Sequence, residues 1–259
     1  MLFFGNHRMS ESPEITRYFN AAMSPDEENQ LKFASNISTV MAPFQSAWIT
    51  SQFIPFLSVW LPRNNEQITT AICKSLSEII AKAGSLSSVA PLIEALISSE
   101  KPSIMDSIEN TLKAYNKPPQ VDELITILVK SFYDVVRCFV TRILPLSNTD
   151  SFKVQITSQL CSDPSFAVRL AISKFVPELP EKDAFTFASI LINDTHPRIR
   201  ASLPFRFGKS PFFITELAPL LVKDPDWSVR ACLCSQLPNV SINIPQACEI
   251  ARQLIDDSV

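Results

Sequence analysis

The feature that most restricts this chain is a recurrence. A Val-Arg or Ile-Arg pair returns at Val136-Arg137, Val168-Arg169, Ile199-Arg200 and Val229-Arg230, so the arginines stand 32, 31 and 30 residues apart. A period of that size marks stacked supersecondary units. Three residues after each arginine come Val140, Ile172, Leu203 and Leu233, and seven after it Leu144, Val176, Phe207 and Leu237. With the residue before the arginine, these place apolar side chains at i, i+4 and i+8, which is one stripe of an α-helix. The next position holds Pro145, Pro177, Gly208 or Pro238. Each is expected to end the helix, proline by lacking an N–H and clashing backward, glycine by taking a left-handed cap.

Six positions ahead of the arginines stand Asp163, Asp194 and Asp224, with Ser131 in the fourth unit. These types suit a turn or an N-cap. Counting three and seven residues back from them gives Leu128 and Leu124, Leu160 and Ile156, Leu191 and Phe187, Leu221 and Leu217. A second amphipathic helix therefore precedes each turn, and the unit reads helix A, tight turn, helix B, break. The frame continues toward the N-terminus with Ile104, Ile108 and Leu112 after Ser103, and Ile68, Ile72 and Leu76 after Asn65. A first, weaker unit pairs 15–23 with 27–44 across Ser24-Pro25-Asp26. The expectation is an all-α solenoid occupying 13–259 as a single array behind a flexible 1–12. Its seven units span about 13–46, 47–84, 86–116, 119–147, 150–179, 181–208 and 210–240, and 244–255 forms a terminal helix. Each unit buries one face only against its neighbours, which is why such arrays need several copies.

Composition removes other classes. With three glycines in 259 residues there is no room for a glycine-rich phosphate loop or a dinucleotide fingerprint. Against 26 acids the 23 Lys and Arg leave a net charge of −3, so nothing asks for nucleic acid. The six cysteines, at 73, 138, 161, 232, 234 and 248, sit mostly in apolar periodic stretches without metal spacing and read as reduced, buried thiols. No run has the length of a membrane span, and the first nine residues do not form a signal peptide, so a cytoplasmic or nuclear location is expected. Two histidines, His7 and His196, cannot supply a triad or a multi-histidine metal site. Neighbouring carboxylates such as Asp122 and Glu123 read as solvated surface. No enzyme activity, metal or cofactor is expected.

The turn Asp, the Val-Arg of helix B and a proline inside helix A, here Pro55, Pro91 and Pro219, resemble the HEAT-repeat family. Within it, Phe53-Ile-Pro-Phe-Leu57, Leu160-Cys-Ser-Asp163 continuing to Val168-Arg169 and Ala171-Ile-Ser-Lys-Phe175, and Asp226-Trp-Ser-Val-Arg230 are similar to successive repeats in the N-terminal half of protein phosphatase 2A scaffold (A) subunits. The resemblance covers nearly the whole chain from about Pro13. It implies a right-handed superhelix whose A–B turns line one ridge. It also implies that the ridge of these repeats holds a regulatory B-type subunit, while further C-terminal repeats of that family hold the catalytic subunit.

Arg63 and Asn64, Phe132 and Tyr133, Phe166, His196 and Arg198, Lys223, Asp226 and Trp227 fall on the turns. Of these, Arg63, Tyr133, Phe166, His196, Arg198 and Trp227 are the candidate partner-binding residues, because aromatics and arginine are favoured interface anchors. Tyr133 and Trp227 stand out, since the resemblance places them where that scaffold carries a tryptophan on its binding turns. The rings can instead fold back over the adjacent turn. Arg137, Arg169, Arg200 and Arg230 suit a ladder in which each reaches a turn Asp of its own or a neighbouring unit, with Asp163/Arg169, Asp194/Arg200 and Asp224/Arg230 as the candidate pairs, or alternatively touch the partner directly. A different function on the same architecture is an adaptor that takes a peptide or helix on its concave helix-B face. Exposed apolar or charged clusters along helix B would mark that function, whereas clusters on the turns would mark the scaffold.

Overall fold

A computed structural model of the chain describes residues 13–61, 65–208, 210, 212–239 and 244–255. Among them all regular structure is helical, with no strand, and no helix is long and apolar enough to cross a membrane. The chain divides into two compact units, residues 1–127 and 128–259.

The first unit contains α1 (Pro13–Ala22), α2 (Glu27–Ser35), α3 (Ile37–Met41), α4 (Ser46–Trp48), α5 (Ile54–Trp60), α6 (Glu66–Lys74), α7 (Leu76–Ala83), α8 (Leu86–Ile97), α9 (Pro102–Tyr115) and most of α10 (Pro118–Leu128). Local chemistry sets the starts: the Asp26 carboxylate accepts from Glu28 N–H and the Asn65 side-chain Oδ1 from Ile68 N–H, each satisfying an orphan donor. Gly84 ends α7 at φ 86°, a left-handed cap that glycine adopts without a Cβ penalty. Between α4 and α5 the helix widens over Ile49–Phe53, so that Ile54 N–H reaches the Ile49 carbonyl five residues back. That π turn lies just ahead of Pro55, whose ring and missing N–H would spoil an ordinary turn.

Two expectations for this unit need correction. The second helices expected as continuous through 27–44 and past Ser75 are each in two pieces, broken at Asn36 and Ser75. Asn36 donates its side-chain amide to the Lys32 carbonyl at 2.7 Å, and Ser75 its hydroxyl to the Ala71 carbonyl at 3.5 Å. Side chains of this kind compete with the helical ladder. Ser103 is not a capping position either, since α9 starts at Pro102 behind Lys101. The core of this unit is aromatic. Phe33 and Phe53 are fully buried among Phe19, Phe56 and Trp60, and the Trp60 indole donates to the Ala22 carbonyl at 3.0 Å.

The second unit contains α11 (Asp134–Ile143), α12 (Asp150–Cys161), α13 (Phe166–Ile172), α14 (Glu181–Leu191), α15 (Pro197–Phe207), α16 (Ala218–Leu221), α17 (Trp227–Gln236) and α18 (Ile244–Ile255). The helices pack in two rows: α11 on α13, α13 on α15 and α15 on α17, with α12 against α13 and α14, and α14 against α15. Every stripe residue counted from the arginines is buried, from Val136, Val140 and Leu144 to Val229, Leu233 and Leu237. So are Ile156, Leu160, Phe187, Leu191, Leu217 and Leu221 on the preceding helices. A π turn over Phe213–Leu217 precedes Pro219, the same accommodation as at Pro55.

Pro145, Pro177 and Pro238 each sit in a short 3-10 turn that ends the second helix. Gly208 ends its helix differently from expectation. It is right-handed, at φ −53° and ψ −21°, and its N–H still bonds to the Pro204 carbonyl at 2.9 Å. The physical reason for glycine is close approach, because a Cβ there would lie 2.8 Å from the Pro204 oxygen. The thiols also divide: Cys73 and Cys161 are buried and Cys138 and Cys232 half-buried, but Cys234 and Cys248 are exposed. The two exposed ones lie off the apolar stripes of their helices.

Candidate functional site

The turns of the second unit share one construction. The residue six before each arginine takes the N–H two positions on: Ser131 Oγ from Tyr133 at 3.1 Å, Asp163 Oδ1 from Ser165 at 2.8 Å, Asp194 Oδ1 from His196 at 2.8 Å, and Asp224 Oδ1 from Asp226 at 2.9 Å. These side-chain turns orient the chain for the helix that follows, whose N-cap is the residue donating the N–H.

The arginines tie the turns together. Arg137 Nη1 donates to the Ser131 carbonyl at 2.8 Å, and Arg169, Arg200 and Arg230 donate to the Asp163, Asp194 and Asp224 carbonyls at 2.7 Å each. Each guanidinium therefore holds the backbone of its own turn. The other edge of the fork grips the next one. Arg137 pairs with Asp163 at 2.7 and 3.0 Å, Arg169 with Asp194 at 2.6 and 3.1 Å, and Arg200 with Asp224 at 2.7 and 2.9 Å. The expected within-unit pairs Asp163/Arg169, Asp194/Arg200 and Asp224/Arg230 need correction: in each the arginine bonds the Asp backbone carbonyl, while the Asp163, Asp194 and Asp224 carboxylates pair with Arg137, Arg169 and Arg200 of the preceding unit, because Nη1 faces its own turn and the Nε–Nη2 edge faces the next.

The rungs are largely out of water, with arginine side chains 13–14% exposed and the aspartates 6–7%. Burial alone would raise the Asp194 carboxyl, yet the Arg169 hydrogen bond and the His196 N–H hold it below the ordinary carboxylate value. The hydrogen bond to aspartate likewise raises Arg137, Arg169 and Arg200, against the opposing effect of burial.

On this frame stand the aromatic residues. Phe132 is 92% exposed, Trp227 65%, Tyr133 52% and Phe166 40%. Phe132 and Tyr133 meet edge to face at 5.9 Å. Phe166 lies flat on the His196 ring, with centroids 4.4 Å apart and planes 8° off parallel, so two successive turns share one stacked pair. His196 Nδ1 accepts from Arg198 N–H at 3.3 Å, which fixes the imidazole as the cap of α15. Phe166 and His196 thus cover each other, whereas Trp227 has no ring partner among the described residues. Arg198 is exposed and makes no ion pair among the described residues. Arg63, with Asn64, lies outside the described residues.

Some of the pattern escaped sequence reasoning. In the first unit, Ser24 Oγ accepts from Asp26 N–H at 3.1 Å, and Gln30 Nε2 donates to the Ser24 carbonyl at 2.8 Å. This is the turn of the second unit with glutamine standing for arginine. The signal was present as Ser24 and Gln30 at the same offsets from Asp26. Stitches between turns there are lighter: Asn65 Nδ2 to Glu27 at 2.7 Å, and Lys101 to Glu66 at 3.3 Å between half-exposed side chains.

The open grooves of the first unit, between α2 and α6 and between α7 and α9, are lined mainly by small or polar side chains such as Ser35, Asn65, Thr70, Ser107 and Asn110. No group of three His, Cys, Asp or Glu side chains placed to hold a metal occurs among the described residues. No protein-family model matches this chain, and no curated protein matches it.

Proposed function

We propose that the chain is a right-handed α-solenoid of about seven HEAT repeats and acts as a non-catalytic scaffold that binds a protein partner along its intra-repeat turns. The observation that carries this reading is the set of exposed rings, Phe132, Tyr133, Phe166 and Trp227, mounted on turns that the arginine ladder locks together. Aromatic anchors on a rigid support lose little entropy on binding. The resemblance of the turn and helix-B stretches to phosphatase 2A scaffolds names the partner as a regulatory B-type subunit, with or without the catalytic subunit, in the cytoplasm or nucleus.

The test is direct binding of a purified B-type subunit to the full chain by calorimetry. Trp227→Ala and Tyr133→Ala should each weaken binding by about 1–2 kcal/mol without changing the melt. Equal affinity for wild type and the double variant would remove the turns as the site. A second reading, an adaptor that takes an extended or helical segment on its second-helix face, is favoured by Phe205, an exposed ring on α15 away from the turns.

A further inference from the structure

Hydrogen-bonding groups on the turns of the second unit are unevenly engaged. The carboxylates are taken from within: Asp163, Asp194 and Asp224 hold the arginine ladder, Asp134 Oδ2 accepts from the Ser165 hydroxyl at 2.9 Å, and Asp226 Oδ1 accepts from the Ser228 N–H at 2.9 Å and from its hydroxyl. The arginines also take the backbone carbonyls of Ser131, Asp163, Asp194 and Asp224. Donors are what remain. The Tyr133 hydroxyl, the Trp227 indole N–H and the Arg198 guanidinium are on exposed residues and have no partner among the described residues.

The rings follow one line across these turns. The second residue after each turn residue meets the third residue of the turn before it: Ser165 bonds to Asp134, and His196 stacks on Phe166 at 4.4 Å. Tyr133 occupies the second position of its own turn and Trp227 the third of its own. Three ring platforms thus stand over four successive turns, namely Tyr133 with Phe132 edge to face, the Phe166–His196 stack, and Trp227.

We propose that these turns receive a proline-rich segment of the partner in the polyproline II conformation, with proline rings against the three platforms and its carbonyls accepting from Tyr133, Trp227 and Arg198. The inference rests on the reading of the turns as the partner surface and names what the partner brings to it. Successive packed helices lie about 8–10 Å apart. A polyproline II helix advances about 9 Å in one turn of three residues, so every third residue faces the same side at the spacing of the turns. About ten residues therefore reach from Tyr133 to Trp227. Hydrogen bonding selects the same occupant. Polyproline II has no internal hydrogen bonds, so its carbonyls are open to the free donors, and proline brings no N–H that would need the acceptors already engaged here. An α-helix offers no such carbonyls along its length, and a β-strand turns alternate residues to opposite faces.

The test is fluorescence anisotropy of the full chain with a labelled peptide of twelve prolines. The wild type should bind it, and Tyr133→Ala with Trp227→Ala should weaken binding about tenfold or more without changing the melt. Tyr133→Phe with Trp227→Phe, which keeps the rings and removes both donors, should weaken it several-fold and supplies the comparison if the alanine variants lower the melt. A peptide with four prolines at every third position should bind more tightly than one with the same four at every second position, where they leave the common face. A purified B-type subunit separates this inference from the reading beneath it. If the alanine variants lose the subunit while the wild type ignores the proline peptide, the turns remain the partner surface and the proline-rich occupant is overturned. If wild type and variants bind both alike, both readings fall. Equal binding of the two four-proline peptides, or tighter binding of an amphipathic helical peptide through the same rings, would also overturn the proposal.

Discussion

Removing the carboxylate of one rung, Asp194→Ala, is the sharpest test of the ladder. That carboxylate receives Arg169 Nε at 2.6 Å, Arg169 Nη2 at 3.1 Å and the His196 N–H at 2.8 Å. Its side chain is 6% exposed and that of Arg169 14%, so the guanidinium left behind stays largely out of water. Breaking a buried pair from one side costs about 3–5 kcal/mol. At roughly 2–4 °C per kcal/mol for a chain of this size, the melt should fall by about 6–20 °C. Circular dichroism at 222 nm during thermal and urea unfolding reads it. Glu66→Ala is the internal control, because the Glu66–Lys101 pair is about half exposed and should be worth about 0–1 kcal/mol. Replacing both rung partners, Arg169→Met with Asp194→Leu, should recover most of the loss, since apolar pairs of similar volume commonly match a buried ion pair. If Asp194→Ala costs no more than Glu66→Ala, the ladder does not carry the load assigned to it.

Leu203→Ala and Ile172→Ala, each at a fully buried stripe position, should cost about 2–5 kcal/mol in the same unfolding assay. Gly208→Ala should destabilise by about 1–3 kcal/mol, because its methyl would meet the Pro204 carbonyl at 2.8 Å, and an unchanged melt would show that the turn yields freely. The Asp194 carboxyl is held below its ordinary value in the fold, so its contribution is complete well above the ordinary carboxylate value and fades as pH falls through that value and the lower folded one. Asp194→Asn should therefore lose less stability than the wild type as pH falls from neutrality into the acid range, and parallel losses would refute the sign. Burial pushes Cys161 up to about 12 and Cys138 to about 11. A thiol reagent applied to the native chain at mildly alkaline pH should label Cys234 and Cys248 first and leave Cys73 and Cys161 protected, which mass spectrometry of the digested protein would resolve.

Helical periodicity made the second unit legible because each helix there buries one narrow stripe and meets a proline or glycine at a fixed point. Val136 to Leu144, Val168 to Val176, Ile199 to Phe207 and Val229 to Leu237 need nothing beyond the 3.6-residue repeat to be placed inside. The first unit was harder. Its second helices are interrupted where Asn36 and Ser75 turn their side chains back on the preceding carbonyls. Periodicity cannot see such breaks, since the apolar residues on either side still read as one stripe. The widened turns ahead of Pro55 and Pro219 are equally silent in sequence. A proline announces that an ordinary turn cannot continue, but kinking and slipping to a five-residue bond are both physically open. Burial of Ile49, Phe53, Phe213 and Leu217 on these wide turns shows what the slip accomplishes, because it keeps the apolar face inward past the proline.

The candidate site was legible in residue type and not in pairing. Six residues separate Asp163 from Arg169, a spacing that suits an ion pair as readily as a backbone contact, and composition cannot choose between them. The planar guanidinium decides it. Once Nη1 of Arg169 is committed to the Asp163 carbonyl at 2.7 Å, the Nε–Nη2 edge points away from that turn and toward the next, where Asp194 receives both bonds. Lysine, with a compact ammonium and no second edge, could not serve two turns in this directional way. The same geometry explains why the aromatic residues stand beside the rungs. Tyr133, Ser165, His196 and Asp226 donate the N–H that each turn's side chain accepts, and the exposed rings sit on those positions or immediately next to them. A ring carried on backbone that is fixed from both sides keeps its direction before any partner arrives. Arg200→Ala should therefore loosen the Trp227 turn by freeing Asp224, and it should weaken partner binding without touching Trp227 itself. Retention of full affinity by a folded Arg200→Ala variant would show that the ladder holds the fold alone and leaves the rings to find their own positions.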